Sequence, residues 1–246
     1  MHRAWSVGWC LASCACGRVD FDPVGDAAPG SEAPPSCTAT AVPTYEQGAC
    51  DSNHGLPAVS SLVVPLPNPI ASPNVLVVAV DFDGLTMVPT FTDSLGNTFE
   101  IITPLARWNT QSSQIAYASI TNGGADSVTL SFAGPTDGIG FYVHEYSGLS
   151  TTDAVDAFVI GMGSGNALST GDVTTTTPGE LLFAHAVIQS TIPSAGTGFT
   201  ARQTCNANMT EDAVASTAGP HSAGFTGSSG GTWIASLATF WPLGCP

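Results

Sequence analysis

From Val59 to Trp241 the chain alternates short apolar stretches with turn residues at intervals of roughly 8 to 15 positions, the rhythm of strands in an antiparallel sandwich. No helical period persists. Residues 75–80, Val-Leu-Val-Val-Ala-Val, form a continuous β-branched run and predict a central strand covered on both faces. Residues 91–99, Phe-Thr-Asp-Ser-Leu-Gly-Asn-Thr-Phe, predict a hairpin with Gly96 and Asn97 in a turn that needs positive φ. Further strands are predicted at 114–120, 127–132, 139–146, 155–160, 180–189, 199–204, 212–217 and 232–241. Asn122-Gly123-Gly124, Gly134-Pro135, Pro178-Gly179 and the Gly/Ser run 227–231 separate them. About ten to twelve strands without a helix define the fold class as all-β, a two-sheet antiparallel β-sandwich (jelly-roll-like) over residues 53–246.

The first 52 residues follow another pattern. After Met1-His2-Arg3, residues 4–13 are apolar but fall short of the roughly 20 residues that span a bilayer, and they predict an export signal over 1–13. Leu11-Ala12-Ser13-Cys14 resembles the lipobox of bacterial lipoproteins, which implies a lipid on Cys14. Cys16-Gly17-Arg18-Val19-Asp20-Phe21-Asp22-Pro23 resembles the start of many surface lipoproteins of Gram-negative bacteria and implies an outer-membrane or cell-surface location. Residues 14–52 hold Pro23, Pro29, Pro34, Pro35 and Pro43 among Ala, Gly, Ser and Asp and are expected to form a disordered tether.

Export makes disulfides the default state of the thiols. Without the signal and the lipidated Cys14, five cysteines are left: Cys16, Cys37, Cys50, Cys205 and Cys245. Proximity favours the pairs Cys37 with Cys50 and Cys205 with Cys245, leaving Cys16 over. No C-x-x-C pair or suitably spaced His makes these thiols a zinc site.

Charge narrows the partners. A formal net charge of −15, with 4 Lys+Arg against 19 Asp+Glu, excludes a surface that tracks nucleic-acid phosphates and one attracted to an anionic membrane face. Divalent cations and neutral, hydroxyl-rich ligands remain compatible with it. The 43% hydrophobic content is enough for a sizeable core.

Taken in order, residues 75–82, Asp93-Ser94-Leu95-Gly96-Asn97-Thr98, Gln114-Ile115-Ala116-Tyr117-Ala118, His144-Glu145-Tyr146-Ser147-Gly148-Leu149, Gly179-Glu180-Leu181-Leu182, Gly198-Phe199-Thr200-Ala201-Arg202 and 233–240 resemble a recurrent β-sandwich module. Such modules occur in secreted, surface-attached and phage-associated bacterial proteins. The resemblance implies a fold, and only loosely adhesion or glycan contact; it carries over no catalytic residues.

Candidate chemistry is sparse. Gly227-Ser228-Ser229-Gly230-Gly231 fits G-x-S-x-G but lacks the strand-turn-helix setting of a nucleophile elbow. The run 161–165 has no Lys and reads as a flexible connection rather than a phosphate loop. His144 and Glu145 are strand neighbours and point to opposite faces, whereas Tyr142, His144 and Tyr146 share one face and, if exposed, would stack on sugar rings. His185 alternates with Leu181, Phe183 and Val187 and reads as a core or edge histidine.

Asp81 and Asp83 lie on one face at a strand end, a spacing suited to one structural Ca²⁺ if backbone carbonyls and water complete the shell. Trp108, between Arg107 and Asn109 in a polar loop, suits a sugar platform; Trp233 and Trp241 read as core. The expected protein is a non-enzymatic surface-anchored lipoprotein with a binding or adhesion role toward a glycan or a partner protein. Two other readings stay open: a hydrolase of polysaccharide or another polymer whose site folding would assemble, and a structural envelope or appendage subunit.

Overall fold

The structure is a computed structural model that describes residues 37–246, residue 193 excepted. Cys14, Cys16 and the signal segment 1–13 lie outside the described residues. The described chain is all-β. Its strands are β1 (Thr44–Ser52), β2 (Val59–Pro65), β3 (Val75–Asp83), β4 (Thr90–Asp93), β5 (Glu100–Ile101), β6 (Ala106–Trp108), β7 (Gln111–Ser119) and β8 (Ser127–Ser147). They continue as β9 (Val155–Ser169), β10 (Val173–Thr175), β11 (Leu181–Ile188), β12 (Thr200–Cys205), β13 (Asn208–Val214), β14 (Gly219–His221) and β15 (Gly224–Phe240).

Two sheets make the sandwich. The first runs β1-β8-β3-β7-β5, with β6 beside β7 and with β2 and β4 beside β8; the second runs β12-β13-β11-β15-β9, and β10 pairs with β14 alone. The run 75–80 is the centre of the first sheet, and period-two alternation assigns its residues to two cores. Val75, Val77 and Ala79 pack with Tyr142, Tyr146, Phe183 and Phe240 between the sheets. Leu76, Val78, Val80 and Phe82 pack on the other side with Phe91, Leu130 and Phe141. A third core of Leu182, Ile188, Phe225 and Trp233 includes residues of β11 and β15. Each such fully buried side chain contributes about 1.5–3 kcal/mol of transfer free energy.

Several expected boundaries move. β1 occupies 44–52 and pairs with β8, with a register shift between Tyr45 and Gln47, so the segment read as tether ends earlier than residue 52. Tyr45 and Cys50 pack in the core between the sheets while Ala49 packs on the other side, and the bulge breaks the period that would have announced the strand. Residues 91–99 are not a hairpin. β4 pairs with β8 and β5 with β7, and the link turns where the Asp93 carboxylate accepts from Asn97 N at 2.8 Å. The predicted strands 127–132 and 139–146 are one strand, β8, whose front pairs with β2 and β4 and whose rear pairs with β1 and β3.

The two glycine-rich runs belong to strands. Residues 161–165 are paired within β9 against β15, and 227–231 form a register shift in β15. At Gly163 a Cβ would lie 2.5 Å from the Trp233 ring, so glycine there admits the indole.

The four expected cysteines are disulfide-bonded, but in the other pairing: Cys37 with Cys245 and Cys50 with Cys205. Loop closure becomes costlier only logarithmically with length, so the fold decides the partners. Cys50 and Cys205 belong to β1 and β12, and the bond staples the two sheets together.

Candidate functional site

At one end of the sandwich β3 finishes, β7 begins, β11 finishes and the β12–β13 turn closes. Antiparallel pairing sets two rows of three residues there. Asp81 lies between Ser113 and Gly140, and Asp83 lies between Gln111 and Asp137. From the second sheet His185 comes on β11, with Asn206 and Asn208 at the turn. Between these elements opens a cleft of about 470 Å³, lined by His54, Asp81, Asp83, Thr110, Gln111, Gly138, 187–191 and 206–208.

Asp81 is the buried floor. Its Oδ1 accepts from Asn206 Nδ2 at 3.0 Å and Asn208 Nδ2 at 2.8 Å, and its Oδ2 meets His185 Nε2 at 3.1 Å. A carboxylate only accepts, so Nε2 carries a hydrogen, and Nδ1 shares a hydrogen bond with the Ser113 hydroxyl at 3.1 Å. Gly140 makes room for this, since a Cβ there would lie 2.8 Å from both Asp81 Oδ2 and Tyr142 Oη. The Tyr142 hydroxyl donates to Cys205 O at 2.5 Å. Burial, then the Asp81 charge, holds that phenol well above its ordinary range.

Serine, histidine and aspartate are thus hydrogen-bonded in series, yet the series does not form a nucleophilic site. Ser113 is buried beneath the sheet and does not line the cleft, so no acyl carbon reaches its Oγ. The chain of bonds instead ties β3 and β7 to β11. Its members are far apart in sequence, and the separate reading of His185 as a core histidine could not place the other two beside it.

Asp83 stands at the rim. Burial, followed by the charges of Asp137 and Asp81, raises its carboxyl above the ordinary value. Asp81 and Asp83 share a face as expected for a Ca²⁺ pair, but the Asp81 oxygens are already taken by three side-chain donors. Among the described residues no group of three His, Cys, Asp or Glu side chains could hold a metal ion.

The cleft also holds unused acceptors. Gln111 is 6% exposed with its Oε1 unpartnered, and Asn206 Oδ1 is likewise buried without a partner. Neither residue was singled out in the sequence. The signal was indirect: Asn206 and Ala207 both take positive φ, 49° and 61°, in a two-residue hairpin turn, for which Asn is a common choice. The Cys50–Cys205 bond anchors the residue just before that turn.

Trp108 belongs to the turn that forms the cleft's wall. β6 and β7 pair Trp108 with Gln111, and Asn109 closes the turn at φ 57°. The indole Nε1 donates to Gly163 O at 3.1 Å, and Asn109 Nδ2 donates to Thr232 Oγ1 at 3.3 Å. Arg107 donates to Met87 O at 3.2 Å. The indole is therefore fixed at its edge while the residue stays 42% exposed.

Tyr142, His144 and Tyr146 are a correction. They share a face, but it is the inner one: β8 is flanked by β1 and β3, and the second sheet covers all three residues. They cannot present a sugar-stacking row. His144 has neither ring nitrogen hydrogen-bonded, and burial, then the Arg202 and His185 charges, lowers its pKa to about 3. Beside it Tyr146 donates to Asp212 Oδ2 at 2.6 Å, Arg202 Nε donates to the same oxygen at 2.7 Å, and the guanidinium lies 4.2 Å from the Tyr45 ring centre.

Against known proteins, no family model, no curated protein and no solved structure matches the chain.

Proposed function

We propose that the domain is a non-enzymatic binding module that holds a glycan in the end cleft, with Trp108 as the adjoining platform. The observation that carries this reading is the cleft's composition: carboxylate, amide and hydroxyl side chains, no Lys or Arg among the lining residues, and an exposed, edge-anchored indole on the adjoining turn. Hydroxyls of a neutral sugar donate to such acceptors, and the apolar C–H face of a pyranose covers an aromatic ring.

The test is a glycan-array screen of the exported protein, with Trp108→Ala and Gln111→Ala alongside. Binding weakened at least tenfold in both variants, with melting temperature kept, is expected. Silence across the array, or binding indifferent to both substitutions, overturns the reading.

We further propose that the protein is an exported lipoprotein held through Cys14 at a Gram-negative cell surface. Two disulfides support an oxidising compartment. Replacing Cys14 with Ser should release the protein from the membrane fraction, and continued dependence on detergent would remove the anchor.

A further inference from the structure

Away from the cleft, β5 ends the first sheet and β9 ends the second. β5 has two residues and β6 three, against fifteen in β9, so the first sheet covers the inner face of β9 only in part. Between the two edges runs a groove of about 350 Å³ whose lining includes Glu100, Ile101, Tyr117, Asp153, Asp156 and Phe158, and includes no Lys or Arg.

The groove is apolar as well as acidic. Ile101 is 52% exposed and Phe158 45%, and Met162, four positions along β9 from Phe158, is 44% exposed. Phe158, Ile160 and Met162 share one face of β9, the side on which Ile160 packs against Ala106, Val187 and Ile234. Four strand positions span about 13 Å. A row of large apolar side chains on an open sheet edge, rimmed by carboxylates, is the anatomy of a protein contact rather than a sugar site.

Charge selects the occupant. A second copy of a chain with net charge −15 would set carboxylates against carboxylates. An extended segment with apolar residues at every second position and Lys or Arg between them matches both the row and its rim.

We propose that this flank docks an extended, cationic segment of a partner protein, its apolar side chains on Ile101, Phe158 and Met162 and its basic ones beside Glu100, Asp153 and Asp156. This does not depend on the glycan reading, because the residues it uses, Glu100, Ile101, Asp153, Asp156, Phe158 and Met162, are absent from the end cleft.

The test measures fluorescence anisotropy of a labelled decapeptide alternating Val and Lys, with a Ser/Lys decapeptide of equal charge as control. The Val/Lys peptide is expected to bind at least tenfold more tightly than the Ser/Lys peptide. Phe158→Ser should weaken it at least tenfold, and the Glu100→Gln/Asp153→Asn pair about three- to tenfold, with melting temperatures kept. No binding, equal binding of the two peptides, or affinity unchanged in both variants overturns the proposal. So does concentration-dependent self-association that Phe158→Ser abolishes, which would make the occupant a second copy.

Discussion

Raising the pH from 4.5 to 7.5 should destabilise this protein, and two buried carboxyls set the size of the effect. Glu211, on β13, accepts from Gly196 N at 2.7 Å through Oε2, while Oε1 has no partner. Glu180, just before β11, accepts from Thr176 N at 3.0 Å and Thr177 N at 2.9 Å through Oε1, and its Oε2 is unpartnered. Both residues are inaccessible to solvent. Burial pushes each carboxyl from 4.5 up to about 7, with Asp212 adding to the rise at Glu211 and Asp156 at Glu180.

A folded pKa above the unfolded one means that the folded state holds its proton more tightly. The resulting stability is fully present below pH 4.5 and is lost as pH rises through 7. At about 1.4 kcal/mol for each tenfold change in proton affinity, the rise from 4.5 to about 7 amounts to at most about 3–4 kcal/mol per carboxyl. His144 works in the opposite sense. Its pKa is lowered from 6.5 to about 3, so its contribution is present above 6.5 and is lost as pH falls through 3. Two carboxyls outweigh one imidazole between 4.5 and 6.5, which places the stability maximum near pH 4.5.

Urea unfolding followed by tryptophan fluorescence across pH 3.5–8 measures this directly. Glu211→Gln keeps an acceptor for Gly196 and removes the charge. It should match the wild type near pH 4.5, exceed it by about 3 kcal/mol at pH 8, and remove most of the loss across the range, because Glu180 and His144 then offset each other between pH 4.5 and 6.5. A wild-type stability that is flat or rising from pH 4.5 to 7.5 would refute the reasoning, as would a Glu211→Gln variant with an unchanged slope.

Three further outcomes are expected. Peptide mapping without reduction should recover Cys37 linked to Cys245 and Cys50 linked to Cys205, and the Cys50→Ala/Cys205→Ala pair should lose about 3–5 kcal/mol in denaturant unfolding; free thiols at these positions would contradict the staple. Asp81→Ala strands His185, Asn206 and Asn208 without their acceptor and should cost about 3–5 kcal/mol, whereas Trp108→Ala, at an exposed turn, should cost less than about 1 kcal/mol. Gly140→Ala should destabilise through contact with the Asp81 carboxylate, and a melting temperature equal to the wild type would show that the carboxylate moves aside without loss.

Fold class was legible because strand period and apolar density are local. Residues 75–80 announce a strand buried on both faces, and the structure buries all of them. What local pattern does not encode is partnership. The segment 91–99 has hairpin chemistry, but its two arms pair with β8 and β7 rather than with each other, because covering the apolar faces of two long strands buries more surface than a closed two-strand ribbon. The cysteines failed in the same way. Neighbours in sequence were preferred, yet β1 and β12 bring Cys50 beside Cys205 across 155 positions.

The site divides along the same line. The Trp108 turn was readable as an exposed aromatic among polar residues, since loop exposure is a local property. Tyr142, His144 and Tyr146 were readable as one face, but whether that face meets water depends on whether a second sheet lies over β8, which no residue of β8 reports. Asp81 shows the limit most plainly. Its spacing from Asp83 suggested a cation, while its actual partners, His185, Asn206 and Asn208, come from the second sheet. A buried carboxylate satisfied by three side-chain donors is a tie between sheets, and on the proposed glycan reading it leaves contact with a ligand to the groups above it, Asp83 and the indole at the rim.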